Sequence, residues 1–406
     1  MMRKNCLICL SNKLNKILNL GKHPYADTFI SKNKLSAKEP ITKLEVDICK
    51  NCGCIQTSHS TSTFRRYNLY NYSYTSSNSN FSRNHWKKYA LQVSKDLKIK
   101  NKTKILEIGS NDGFLLKQFK KLNKCKVIGA DASDYMSKIS RKNRIFTLNL
   151  IFNSKNAKKI LQKFGKFDLI VANNVFNHSD NPLDFIKGVE NLLEENGSFI
   201  FELPYWLDTI KSKKFDQIYH EHVTYFNFRM IKEMISRTKL NFYKANKINY
   251  HGGSIRVYLK KNLDNNNEKF LQKLILLEKR SNLYKLNTYH KLQNFIETKK
   301  NKLLLKLKKI KSQKNTIIVG IGAAAKANTL LNTFELNNKI IDFITEASKH
   351  KIGKFTPKSR IPIHTDSYLS KYKNKKLYAI ILSWNISSDL KNKLKKINSK
   401  IKFLKV

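Results

Sequence analysis

Acidic residues are scarce in this 406-residue chain: 29 Asp and Glu stand against 79 Lys and Arg, a formal charge of +50 at pH 7. Such an excess invites a nucleic-acid reading, yet the chain lacks what that reading needs. It has no arginine-rich patch interleaved with aromatics and no basic tail, and its lysines are spread among many asparagines and isoleucines. Nucleic acid is therefore not the expected partner, although so basic a field would attract anionic small substrates and anionic surfaces. No stretch approaches the ~18 apolar residues that cross a bilayer. Met1 to Leu10 has no apolar core of signal-peptide length. A cytoplasmic protein with reduced thiols and no membrane span is expected. Glycine is also sparse, at 13 residues, so the places where glycines cluster carry information.

The clearest cluster is KILEIGSNDGFLL at 104–116. Its apolar run reads as a buried strand, Gly109 and Gly113 frame a polar turn, and Phe114, Leu115, Leu116 and Phe119 restart at helical spacing. Lacking Cβ atoms, the two glycines allow a sharp turn and close approach of a ligand. The turn has neither the G-x-G-x-x-G of a dinucleotide site nor the Lys-Ser/Thr of a phosphate loop. Glu107 and Asp112 make it acidic, which suits a cationic or hydroxyl-rich ligand. About twenty residues later a strand at 126–130 ends in Asp131, placed for a ribose diol. A third buried strand at 167–175 includes Asn173 and Asn174, and Asn177 and His178 follow at its carboxyl end. Pro182 opens a helix running to about Leu193 and stopped by Gly197, and 198–203 is the next strand. This alternation is a doubly wound α/β pattern. The region resembles the class I S-adenosylmethionine-dependent methyltransferases, whose first strand ends in an acidic glycine turn and whose second ends in an acidic residue. That resemblance implies a cofactor site at Glu107, Gly109, Asn111, Asp112, Gly113, Asp131, Asn173 and Asn174.

Upstream, Cys6-x-x-Cys9 and Cys49-x-x-Cys52 form two chelating pairs in a segment of about 60 residues, too small for a sizeable core. Four soft thiolates favour structural zinc. Cys54 is near enough to substitute at worse spacing, Cys125 reads as a core residue, and His23 reads as a turn residue. An aromatic, hydroxyl-rich stretch at 67–79 has neither helical nor alternating order and is expected to lie as a loop over a polar pocket; an amphipathic helix follows from His85 to Leu97. Residues 266–313 lack Gly and Pro and read as one or two long amphipathic helices. Beyond them TIIVGIGAAAKANTLL at 316–331 is a second strand, glycine turn and helix, with Glu346 closing the following strand. The C-terminal quarter is thus a second Rossmann-like unit.

Two polar clusters remain: FDQIYHEH at 215–222, which is not the H-E-x-x-H of a zinc protease, and HGGSIR at 251–256, whose arginine is placed to clamp a phosphate. With the cysteine pairs, Y-x-Y-x-S-S-x-S at 72–79, EIGSNDG at 107–113 and GAAAKANTLLN at 322–332, they occur in the order found in sugar C-methyltransferases. The chain resembles that family, whose members place a methyl branch on a nucleotide-linked 4-keto-deoxysugar, over nearly its whole length. Asn177 departs from the family pattern, as do Glu346, Ser348, Lys349 and Lys358. The resemblance implies zinc on Cys6, Cys9, Cys49 and Cys52, and His222 as the base, with Glu221, Tyr219 and Tyr72 or Tyr74 nearby. It further implies that a dTDP-linked 4-keto-sugar meets Ser76, Ser79, His178, His220, His251, Gly253, Ser254, Arg256, Lys326 and Asn328, the second Rossmann unit holding nucleotide sugar and not NAD. The expected division is 1–62 for the zinc module, 63–262 for the methyltransferase domain, 263–313 for linking helices and 314–406 for the nucleotide-sugar domain. A zinc-containing RNA methyltransferase is the main alternative. An NAD-linked sugar-modifying enzyme and a non-catalytic zinc module are the others.

Overall fold

A computed structural model of the chain describes residues 1–68, 75–262 and 267–404. Tyr72 and Tyr74 lie outside the described residues. The chain divides into two compact units that alternate along the sequence. The first comprises 1–16, 46–212 and 222–288; the second comprises 17–45, 213–221 and 289–406. The N-terminal strands are β1 (Leu14–Pro24), β2 (Ile41–Cys49) and β3 (Ile55–Thr57).

The main sheet of the first unit is built from β4 (Lys104–Ile108), β5 (Lys126–Asp131), β6 (Thr147–Asn149), β7 (Phe167–Val171) and β8 (Leu193–Pro204). Past β9 (Thr224–Tyr225), it is completed by β10 (Asn241–Ile248) and β11 (Ser254–Lys260). The order is β10-β11-β8-β7-β4-β5-β6, and β11 alone runs against its neighbours. This is the sheet order expected from the resemblance to class I methyltransferases. Crossovers after β4 lead one way, to β5 and β6, and those after β7 lead the other way, so a crevice opens at the carboxyl ends of β4 and β7. Ile105, Leu106, Leu169, Ile170 and Val171 are buried on both strand faces, as parallel strands under helices on both sides require. On one face Trp86, Tyr89, Val93, Leu116 and Phe119 pack against Ile105, Leu169 and Val171, joined by Cys125 as expected.

Two boundaries differ from the sequence reading. The helix expected from His85 begins at Asn80, because Ser79 accepts the Ser82 amide as N-cap. The helix Pro182–Leu192 passes straight into β8, so Gly197 does not stop it. Instead β8 pairs with β7 at Leu193 and again from Ser198, with Gly197 in the bulge between. A Cβ on Gly197 would lie 2.9 Å from the Glu194 carbonyl.

In the second unit β12 (Thr316–Ile321), β13 (Phe343–Thr345), β14 (Ile363–His364), β15 (Lys376–Ile381) and β16 (Lys402–Leu404) form an all-parallel sheet in the order β14-β13-β12-β15-β16. The 266–313 stretch becomes two helices, Glu268–Arg280 and Leu286–Lys311. Glu268–Arg280 belongs to the first unit, and the second claims Leu286–Lys311 from Tyr289 onward. Among the described residues no helix is long and apolar enough to cross a membrane.

Candidate active site

The turn after β4 is where the sheet's crevice begins. Gly109 (φ +75°) packs so closely on Val175 that a Cβ would lie 2.7 Å from the valine Cβ. Asn111 adopts φ +50°. Its amide donates to Asp131 Oδ2 at 2.8 Å, while Asp131 Oδ1 accepts the Ser133 amide, also at 2.8 Å. Burial nevertheless pushes the Asp131 carboxyl up to about 6 against those two bonds. Glu107 is raised well above the carboxylate range by burial, then by Asp112 and Asp131, and its Oε2 is buried without a partner. A pocket lined by acidic residues, with an unused carboxyl oxygen on Glu107, fits a hydroxyl-bearing cofactor whose positive charge would favour the ionised forms. Asp112 itself is engaged: Ser76 Oγ and Ser77 Oγ each donate to it at 2.5 Å, and the Ser76 amide donates to Asn111 Oδ1 at 2.8 Å. The 76–79 segment thus lies on the glycine turn. Ser79 is the helix cap described above. Asn173 receives the Glu202 amide on its Oδ1 at 3.0 Å, and its side chain also interacts with the buried Tyr89 hydroxyl. Asn174 (φ +50°) donates its amide to Glu202 O.

Beyond β7 the imidazole of His178 lies 5.1 Å from that of His222, centroid to centroid. Both side chains are buried. The Tyr67 hydroxyl lies 2.8 Å from His178 Nδ1, and His178 Nε2 is buried without a partner. Burial, then His222 and Arg66, hold the His178 pKa well below the imidazole range, so it is neutral. Arg66 fixes the segment from behind, donating to His178 O at 3.2 Å and pairing with Asp180 at 2.9 Å. At the same end of the sheet, 251–254 form the turn into β11. There His251 packs on Tyr250 at 4.0 Å, Ser254 Oγ donates to Tyr250 O, and Gly253 (φ +116°) leaves no room for a Cβ beside Asp208.

Arg256 is not available for the phosphate clamp expected of it. Its Nε and Nη2 donate to Glu202 Oε2 at 2.8 and 2.7 Å, and its guanidinium lies 4.0 Å from the Tyr89 ring centre. His85 Nε2 closes on the other Glu202 oxygen at 2.6 Å. Arg256 neutralises a carboxylate inside the first unit's core.

Tyr219, His220 and Glu221 belong to the second unit. There His220 Nδ1 lies 3.3 Å from Pro24 O, and Glu221 Oε1 accepts the Asp27 amide at 3.3 Å. Asn328 Nδ2 donates to Ala26 O at 2.6 Å, so the 24–27 segment meets three of the expected residues. Lys326 stands 4.4 Å from the Trp384 ring centre, whose indole donates to Asp216 at 2.5 Å. Burial lowers the Lys326 pKa to about 8, against the pull of Asp216. On the second glycine turn Glu346 Oε2 accepts the Ala323 amide at 2.7 Å.

Cys6, Cys9, Cys49 and Cys52 bring their Sγ atoms within 4.8 Å of one another. Thiolates bonded to zinc at about 2.3 Å stand about 3.8 Å apart in a tetrahedron. The Ile8 and Cys9 amides point at Cys6 Sγ, at 3.4 and 3.5 Å, which favours a thiolate. The donor set fits a structural zinc. Cys54 is outside the group and sits 3.8 Å from Gln56 Oε1. His23, expected in a turn, is buried at the end of β1 with Nε2 2.7 Å from Leu20 O.

Three family models match in succession. A domain described as zinc binding spans 6–65, a methyltransferase domain 82–244, and a C-methyltransferase C-terminal domain 249–404. The C-methyltransferase NovU of Streptomyces niveus is 23% identical over 386 residues, covering 95% of this chain and 90% of that protein. The chain is a methyltransferase, similar over nearly its whole length to a C-methyltransferase. Solved structures similar to it include an S-adenosylmethionine-dependent methyltransferase from Clostridium acetobutylicum (16% identity, TM-score 0.35, 44% of this chain and 91% of that one). Another is the magnesium protoporphyrin IX methyltransferase of Synechocystis with bound cofactor (10% identity, TM-score 0.34, 44% and 79%). Sequence reasoning about this methyltransferase missed Tyr67, Arg66, Asp27 and Glu202. Only Tyr67 carried a signal, as the first aromatic of the 67–79 stretch.

Proposed function

We propose that the protein methylates the carbon next to the ketone of a nucleotide-linked 4-keto-deoxysugar, with dTDP as the expected nucleotide. The observation that carries this reading is the buried pair of imidazoles, His178 and His222, at the ligand end of a methyltransferase sheet. Carbon becomes a nucleophile only when a neighbouring ketone lets a proton leave, and imidazole is the side chain suited to removing it near neutral pH. In this reading His222 takes the proton. The neutral His178 would hydrogen-bond the sugar and orient its enolate carbon toward the bound methyl donor. The cofactor supplies the methyl group. The acidic turn from Glu107 to Gly113, with Asp131, binds it, and Asn173 and Asn174 line the same crevice. Zinc on the four cysteines is structural, since four thiolates leave no open position.

Residues 314–406 would hold the nucleotide sugar through Lys326 and Asn328, with 1–62 as metal module, 63–262 as methyl-donor domain and 263–313 as the link. The test is incubation of the protein with S-adenosylmethionine and a dTDP-4-keto-6-deoxyhexose, followed by mass spectrometry for a product 14 Da heavier. His222→Ala should lose ~10²–10⁴-fold in turnover and also lose solvent deuterium exchange at the reacting carbon, with cofactor affinity kept. Exchange at the wild-type rate would move the base to His178, His220 or a tyrosine of 72–74. Methyl transfer to RNA and not to the sugar would overturn the substrate class.

A further inference from the structure

The strand that leaves His222 is built into the metal module. β9 pairs with β3, Gln56 opposite Thr224 and Ile55 opposite Tyr225. The Thr57 amide donates to Val223 O at 2.9 Å. The Gln56 side chain, fully buried, accepts the Leu7 amide at 2.8 Å and donates to Asn5 O at 3.1 Å, so β3 is also tied to the first cysteine loop. Downstream, Asn227 caps the helix Phe228–Ile235 through Oδ1 and donates its Nδ2 to Gly53 O at 2.8 Å. Arg229 then reaches back to the second cysteine loop: Nη2 donates to Asn51 O at 2.6 Å and to Lys50 O at 3.2 Å. Tyr284 lies 5.2 Å from the guanidinium carbon. Gly53 (φ +70°) makes the approach possible, because a Cβ there would lie 2.9 Å from the Tyr284 ring and 3.0 Å from Arg229 Cδ. Residues 222–229 are therefore fastened upstream to β3 and downstream to Gly53 and the loop between Cys49 and Cys52.

We propose that Arg229 and Asn227 are positioning residues for methyl transfer, making the placement of His222 depend on a metal-filled cysteine cluster. The consequence for rate rests on the reading of His222 as base. The Lys50 and Asn51 carbonyls that Arg229 holds lie between two metal ligands, so the metal sets where they point. Losing the metal or the guanidinium frees the downstream end of the His222 strand, and misplacement of about 1 Å can cost about 10²-fold in rate.

The test uses the full chain, loaded with zinc and carrying ¹³C-labelled histidine, with the His222 ring signal identified by its absence from His222→Gln. Arg229→Met is expected to keep one zinc per chain and cofactor affinity within about twofold, while shifting or broadening the His222 signal. With a dTDP-4-keto-6-deoxyhexose as probe, kcat should fall about tenfold or more with KM little changed. Arg229→Lys retains a donor for the two carbonyls and should recover most of both readouts. Should Arg229→Met misfold, Asn227→Asp keeps the helix cap, removes the donor to Gly53 O and serves the same comparison. A zinc-loaded Arg229→Met protein with the wild-type His222 signal and kcat overturns the proposal, as does a Lys variant no better than Met. If His222→Gln still methylates, the base reading falls, while the ring signal still reports whether the cysteine loop sets this side chain.

Discussion

Asp131 shows how burial turns an ordinary carboxyl into a pH-sensitive contact. Its folded pKa, raised from 3.8 to about 6, means that the folded protein holds a proton which the unfolded chain has released between those values. The stability this confers is present below about 4 and lost as pH rises through about 6. Cofactor binding has the opposite sign, because an ionised carboxylate accepts ribose hydroxyls and a protonated one must itself donate. S-adenosylmethionine affinity by calorimetry should therefore be flat above pH 7 and fall towards pH 5. Asp131→Asn should bind weakly at every pH, with that slope removed. An unchanged slope in the variant would place the titrating group elsewhere, with Glu107 the first candidate. His178 should contribute nothing in this range, since burial and the neighbouring His222 hold it neutral.

The β4 turn brings an element-scale constraint. Gly109 combines a positive φ with a side-chain wall at Val175, so alanine there is penalised by both backbone and contact. Gly109→Ala should weaken cofactor binding by about 5- to 150-fold, the equivalent of about 1–3 kcal/mol of local strain. Adding Val175→Ala should recover only a small part of that loss, because it removes the Cγ atoms 2.8 and 3.0 Å away but leaves the valine Cβ position at 2.7 Å and the positive φ unchanged. Equal affinity of Gly109→Ala and wild type would show that the turn does not shape the cofactor site. The loop over this turn is held by Ser76 and Ser77 on Asp112, so Asp112→Ala should weaken the same binding by releasing that segment.

For the molecule as a whole, the metal module is the part that cannot sustain itself. The cysteine-bearing segments of the first unit, 1–16 and the chain from Val46 through β3, bury too little apolar surface to hold one arrangement by themselves. The module's strand β3 nonetheless carries the partner of β9. Purified protein should contain about one zinc per chain on the four-ligand reading. Cys49→Ser or a strong chelator should lower the melting temperature of the first unit and expose 46–57 to proteolysis. A metal-free protein with unchanged melting and proteolysis would remove the structural role assigned to zinc.

The sequence by itself determined the strand, turn and helix of both Rossmann-like units, because apolar runs, glycine positions and helical spacing are local signals. It also determined the cysteine quartet, since chelating pairs two residues apart are a local pattern whose partners must then meet. Only the tertiary structure decided what Arg256 does. HGGSIR reads as an exposed arginine beside a glycine turn, but Arg256 lies directly opposite Glu202 in the antiparallel register of β11 on β8, and that pairing spans 54 residues. The same holds for Tyr67 on His178 and for Arg229 on the 50–51 carbonyls, contacts across 111 and about 179 residues. Hydrogen-bond partners chosen by strand order and register leave no mark in local spacing, so the chemistry of individual residues was legible while the partners that tune them were not.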